Sequence, residues 1–125
     1  MASILRVNTL TDASSNNSTA MSTINQGTAK AWINFNGSGT PAARDSFNIS
    51  SITDIETGRF TLNFSNSMNN DDFAAVTSGG SHNIAAMFGY MYSPTTSSTN
   101  IEFINTSDVL ADPVFATSDV NGDLA

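Results

Sequence analysis

The chain has 125 residues, a net charge of −7 and only four cationic side chains, Arg6, Lys30, Arg44 and Arg59. With the cations scattered, nothing can neutralise a phosphate ladder, which excludes nucleic-acid binding, and the acidic balance argues against adsorption to anionic membranes. The absence of cysteine excludes disulfides, thiolate metal sites and a cysteine nucleophile.

Ser, Thr and Asn together supply 48 of the 125 residues, while charged residues make up only 12%, against roughly 25% in a typical globular domain. Surface polarity therefore comes from hydroxyls and amides. Asn and Ser favour turns and Thr favours strands, so the composition points to an all-β protein with many short turns. No charged stretch followed by an apolar one opens the chain, so a signal peptide is not expected. No apolar run approaches the ~20 residues of a membrane-spanning helix.

In chain order, residues 3–10 read as a first strand, with Ile4 and Val7 as candidate interface residues. Residues 11–28 read as a polar linker that only Met21 and Ile24 could anchor. A long loop of this kind is uncommon inside a compact domain. Residues 1–28 are therefore expected to form an extended arm that pairs with a neighbouring subunit, and residues 29–125 the domain proper. In 29–35, Ala29, Ala31, Ile33 and Phe35 fall on one face of a strand, and Lys30, Trp32 and Asn34 on the other. Asn36 to Pro41 is a turn. Strands at 46–53 and 59–65 form a hairpin, with Phe47 and Ile49 expected to face Phe60, Leu62 and Phe64, and with Gly58 suited to a positive φ. Residues 73–78 are a further strand. In 83–92, Ile84, Ala86, Phe88, Tyr90 and Tyr92 share one face, and Ala85, Met87, Gly89 and Met91 the other. Both faces are apolar, so this strand is expected to be covered on both sides. After a turn at 93–98 come a strand at 99–105, with Ile101 and Phe103 opposite Glu102 and Ile104, and a last strand near 113–117 carrying Val114 and Phe115. The expectation is a small antiparallel β-sandwich of about seven strands, without a convincing amphipathic helix.

The stretch Gly27-Thr28-Ala29-Lys30-Ala31-Trp32-Ile33-Asn34-Phe35-Asn36-Gly37-Ser38-Gly39-Thr40, with its continuations over 44–54, 58–64 and 67–76, resembles a module of tail-fibre-like and other structural proteins of tailed phages, notably marine and cyanobacterial ones. The opening Ser3 to Leu10 is similar to the start of short phage fibre proteins. Residues 77–125 carry no such likeness. The resemblance implies a non-enzymatic virion component, homotrimeric, with other virion proteins as partners and no catalytic residues or cofactors. It leaves open a tail-fibre or appendage component that contacts the host surface and a head decoration protein that grips the capsid lattice.

Other chemistry has weaker support. His82 is the one histidine, in a polar loop, and there is no Gly-x-Ser-x-Gly elbow. Asp119-Val120-Asn121-Gly122-Asp123 places oxygen ligands at alternate positions, but its glycine precedes the third ligand and no bidentate Glu follows, so it reads as an acidic turn. Adjacent Asp71 and Asp72 would point to opposite faces of a strand and cannot face each other as an acid/base pair. They suit a capped turn instead. Trp32, Tyr90 and Tyr92 are candidates for a sugar-stacking platform on a host glycan, which would make the chain a carbohydrate-binding module, or for a core or subunit interface. Trp32, sharing its face with Lys30 and Asn34, is expected outside the core.

Overall fold

The computed structural model describes residues 3–81 and 84–125, the side chains of Ile84 and Ala85 apart. It is all-β and antiparallel, with one short helix. The elements are β1 (Thr9–Thr11), β2 (Ser18–Ala20), α1 (Met21–Gly27), β3 (Ala31–Asn36), β4 (Ala42–Phe47), β5 (Ile49–Glu56), β6 (Arg59–Phe64), β7 (Ala74–Ser81), β8 (Ile84–Thr95), β9 (Ser98–Ile104) and β10 (Phe115–Asn121). β1 and β2 pair only with each other. The other eight strands form one sheet in the order β4-β3-β10-β7-β8-β9-β6-β5.

That sheet curls until its two edge strands, β4 and β5, lie beside each other. Asn48 alone joins them, in the left-handed conformation at φ 57°, which Asn tolerates better than most residues. Its side chain fixes the corner: Nδ2 donates to the carbonyls of Lys30 and Asn66, and Oδ1 accepts from the Asn66 N–H at 2.7 Å. The result is a nearly closed barrel with one seam.

Strand alternation fills the interior. Ile33, Phe35, Phe60, Leu62, Met87, Ile101, Phe103 and Ala116 form the larger core cluster. The rings of Phe35, Phe60 and Phe103 meet edge to face at centroid distances of 5.3–6.3 Å, the geometry the ring quadrupole favours. Phe103 has space because Gly79 and Gly89 lie against it; a Cβ on Gly79 would sit 2.6 Å from its ring. Ala31, Phe64, Met68, Phe73 and Val120 form a second cluster at one end. At the other end Pro113 is buried and its carbonyl accepts from the Gly37 N–H at 2.8 Å. Asp112 there accepts the Gly58 N–H at 2.7 Å, and Gly58 has φ +74° as its turn requires.

Several expectations need correction. The expected strand at 46–53 is two strands broken at Asn48. Phe47 consequently faces outward, 49% exposed, opposite Trp32, and does not meet the Phe60–Phe64 row. Ile49 does pack on the core. β8 is central in the sheet but uncovered outside, with Phe88 62% exposed. The last strand runs Phe115–Asn121, and its inward residues are Ala116, Ser118 and Val120, with Phe115 outside. The expected first strand shortens to Thr9–Thr11, and the expected linker contains β2 and α1. Met21 and Ile24, three apart on α1, are half-buried. Lys30, expected to share the outer face with Trp32, is buried. Its ammonium donates to the carbonyls of Asn25 and Thr28 and to the Thr28 hydroxyl, tying the base of the arm to the barrel.

Candidate binding face

The inner positions of β3, β10 and β7 carry Ala31, Ile33, Phe35, Ala116, Ser118, Val120, Ala75 and Thr77. The outer positions are fixed by the same alternation. Across four strands they make a row Phe47–Trp32–Asp119–Val76, each residue the register partner of the next. The next row runs Asp45–Asn34–Thr117–Ser78–Phe88–Ile104. Trp32 is 37% and Val76 74% exposed. Between them lies a shallow depression of about 430 Å³, floored by Thr117, Ser118 and Ser78 with Asp119 beside them. Scattered single apolar residues are normal on a surface. Phe47 and Trp32 are adjacent in register, and Val76 stands one strand beyond Asp119. With Phe88 in the next row they make an exposed face that is apolar at four positions and polar between them, a grouping of the kind found at contact surfaces.

Polar chemistry on the outer surface is concentrated where β8, β9 and β6 meet. Glu102 is the register partner of both Tyr90 and Arg59. Its carboxylate accepts from the Tyr90 hydroxyl and from Arg59 Nε, and Arg59 also pairs with Glu56. The Arg59 guanidinium stands 6.0 Å over the Tyr92 ring. The Tyr90 hydrogen bond, aided by Arg59 and opposed by burial, holds the Glu102 carboxyl below its ordinary value. The same bond raises the Tyr90 phenol. Arg44 donates to the carbonyls of Phe35 and Val114 at 2.7 Å and lies 4.8 Å from the Phe115 ring centroid.

The candidate residues from sequence thus fall into three places. Trp32 belongs to the apolar face. Tyr90 and Tyr92 belong to the Glu102 network, three strands away, roughly 14 Å along the sheet at ~4.8 Å per strand. They do not form one sugar-sized platform with Trp32. Ile4 and Val7 lie in the arm, where Ile4 is 73% exposed. His82 lies outside the described residues. Asp119 stands in β10 beside Trp32 and Val76, while Asp123 lies near Asn69 at the barrel end. Asp71 and Asp72 are exposed in a turn where Asn70 Oδ1 accepts the Asp72 N–H.

Sequence reasoning missed Phe47, Val76 and Phe88 as members of the face. The available signal was glycine at Gly79 and Gly89, which marks the side of β7 and β8 that receives a large ring and so makes Phe88 the outward side. The chain matches no known protein family, no curated protein and no solved structure.

Proposed function

We propose that the chain is a non-enzymatic structural protein on the outer surface of a tailed-phage particle, acting by binding as a trimeric tail-fibre or appendage component. The observation that carries the reading is the apolar outer face of Phe47, Trp32, Val76 and Phe88, on a barrel whose interior is filled by side chains. A filled barrel offers its outside for contact and no internal cavity for a substrate. The Ser/Thr/Asn surface, the exposed arm and the likeness of residues 27–76 to phage fibre modules support the same reading. Head decoration is the second reading. Loops around Met68 and Pro113 cover the two barrel ends, and the compact body they make suits a lattice cement.

The deciding experiment is the copy number per purified virion, by quantitative mass spectrometry against the major capsid protein. A few to a few dozen copies is the expected result for a tail component. Hundreds of copies would assign the chain to the head lattice, and absence from the particle would overturn the virion reading.

A further inference from the structure

The sheet has two free edges, and they face one gap. β4 pairs only with β3 and β5 only with β6, and no backbone hydrogen bond joins β4 to β5. From the Asn48 corner the two strands diverge around a cleft of about 250 Å³, lined by Pro41, Ala43 and Ser46 on one side and Ile49 to Ile52 on the other. That is below the ~300–1,000 Å³ of small-molecule sites. It has an apolar floor, because Ile49 and Ile52 also pack on the core, and its walls are unpaired strand edges. A free edge is a template for another strand unless it is covered.

The chain also holds an exposed segment outside the sheet. Residues 3–7 precede β1, with Ile4 and Leu5 73% and 79% exposed, while the Asn8 carbonyl is already taken by the Met21 N–H. In an extended conformation Leu5 and Val7 share one side and Arg6 takes the other. Charge complements shape. Among the described residues the barrel's cations are all engaged: Lys30 by carbonyls, Arg44 by Asn34 and backbone, Arg59 by Glu56 and Glu102. Arg6 has no such partner among the described residues. Ten of the eleven side-chain carboxylates lie in residues 29–125, and Asp45 stands exposed on the outer side of the seam strand β4.

We infer that the seam is a docking site for the arm of a second copy of this chain, in which residues 4–7 add to a free edge, Leu5 and Val7 enter the cleft over Ile49 and Ile52, and Arg6 lies outward near Asp45. This is strand addition to a sheet edge, where backbone bonds give affinity and alternate side chains give selectivity. The occupant is taken from another molecule because residues 3–8 of the same chain stand exposed and do not line their own cleft. Repeated head to tail, the exchange gives a ring where its rotation closes and an open filament where it does not; the inference rests on the self-assembly part of the proposed function, and its test needs no virion.

The chain lacks cysteine, so introduced thiols report cleanly. Full-length Val7→Cys is mixed, under mild oxidation, with full-length Ala43→Cys or with Ser51→Cys, all exposed positions. A disulfide-linked product of twice the 13.1 kDa chain mass is expected from both mixtures, suppressed by excess peptide of residues 3–10. Ser107→Cys, in a turn away from the seam, is expected to give none. Equal linkage to Ser107→Cys, or no linkage to either seam position, would overturn the assignment. So would a Val7→Cys/Ala43→Cys double variant that links only within one molecule. Sedimentation of the wild-type chain separates the failures: an oligomer without seam linkage overturns the docking site alone, whereas a monomer without linkage overturns self-assembly as well.

Discussion

Strands β3, β7 and β8 each carry one row of side chains into the barrel and one row outside, and large apolar residues stand in both kinds of row. Inside, Ile33, Phe35 and Met87 are surrounded by other side chains on every side. Outside, Trp32, Val76 and Phe88 are of similar character and stand in solvent. The two rows differ in what covers them, and hence in the link of the chain they serve. The inner row determines folding. The outer row contributes little to folding and is available for contact.

Core truncation against face truncation is the widest test of this contrast. Phe103→Ala removes a ring that touches Phe35 and Phe60, and is expected to cost about 3–5 kcal/mol in a denaturant titration. Phe88→Ser, on the outside of the neighbouring strand, should change stability by no more than ~0.5 kcal/mol and, on the proposed virion reading, should weaken attachment to the particle. A stability loss at Phe88 as large as that at Phe103 would mean the two rows are not distinct.

Overpacking comes next. Gly79→Ala drives a methyl against Phe103, and is expected to cost about 1–3 kcal/mol, lowering Tm. The corner follows. Asn48→Ala keeps the left-handed backbone but loses the amide bonds to Lys30 and Asn66, with an expected loss of about 2 kcal/mol.

The smallest effect concerns pH. Glu102 is held below its ordinary value by Tyr90 and Arg59 in the folded protein, so it stabilises the fold at neutral pH. That contribution is complete above the unfolded value of about 4.3 and fades as pH falls through the lower folded value. Glu102→Gln should therefore be less stable than wild type at pH 7, with the gap narrowing between about pH 4.3 and strongly acidic pH. A constant gap across that range would detach the network from stability.

The periods of the strands were legible because barrel interiors demand alternation. Ala31/Ile33/Phe35 and Phe60/Leu62/Phe64 lie inside as their spacing requires, and Gly58 has its positive φ. Less legible was which of two apolar faces points inward. In β8 both Met87 and Phe88 qualify by composition, and the decision rests on Phe103 occupying the space left by Gly79 and Gly89, a contact between strands distant in sequence. Phe47 was misplaced for a related reason. Alternation carries it to the same face as Ile49 only along an unbroken strand, and one residue at φ 57° breaks that strand. The short helix escaped notice because Met21–Gly27 has no side-chain cap and no fully buried residue; the Lys30 ammonium, beyond its end, supplies the anchor. Of the candidate site residues, Trp32 was expected outside the core and stands there, whereas its separation from Tyr90 depends on the insertion of β10 and β7 between their strands.

That insertion also sets a clock. β10 follows the other described strands in sequence, yet it lies between β3 and β7, with Ala31 paired to Val120. Until β10 is made, β3–β4 and β7–β9 have no common neighbour, and the chain holds two sheet fragments with open inner edges. Folding therefore waits for β10, governed by contacts of long sequence separation and slow for the chain's size. A chain ending at Ala111 is expected to show no cooperative unfolding transition by circular dichroism; a sharp transition would mean that the fragments fold independently and dock afterwards.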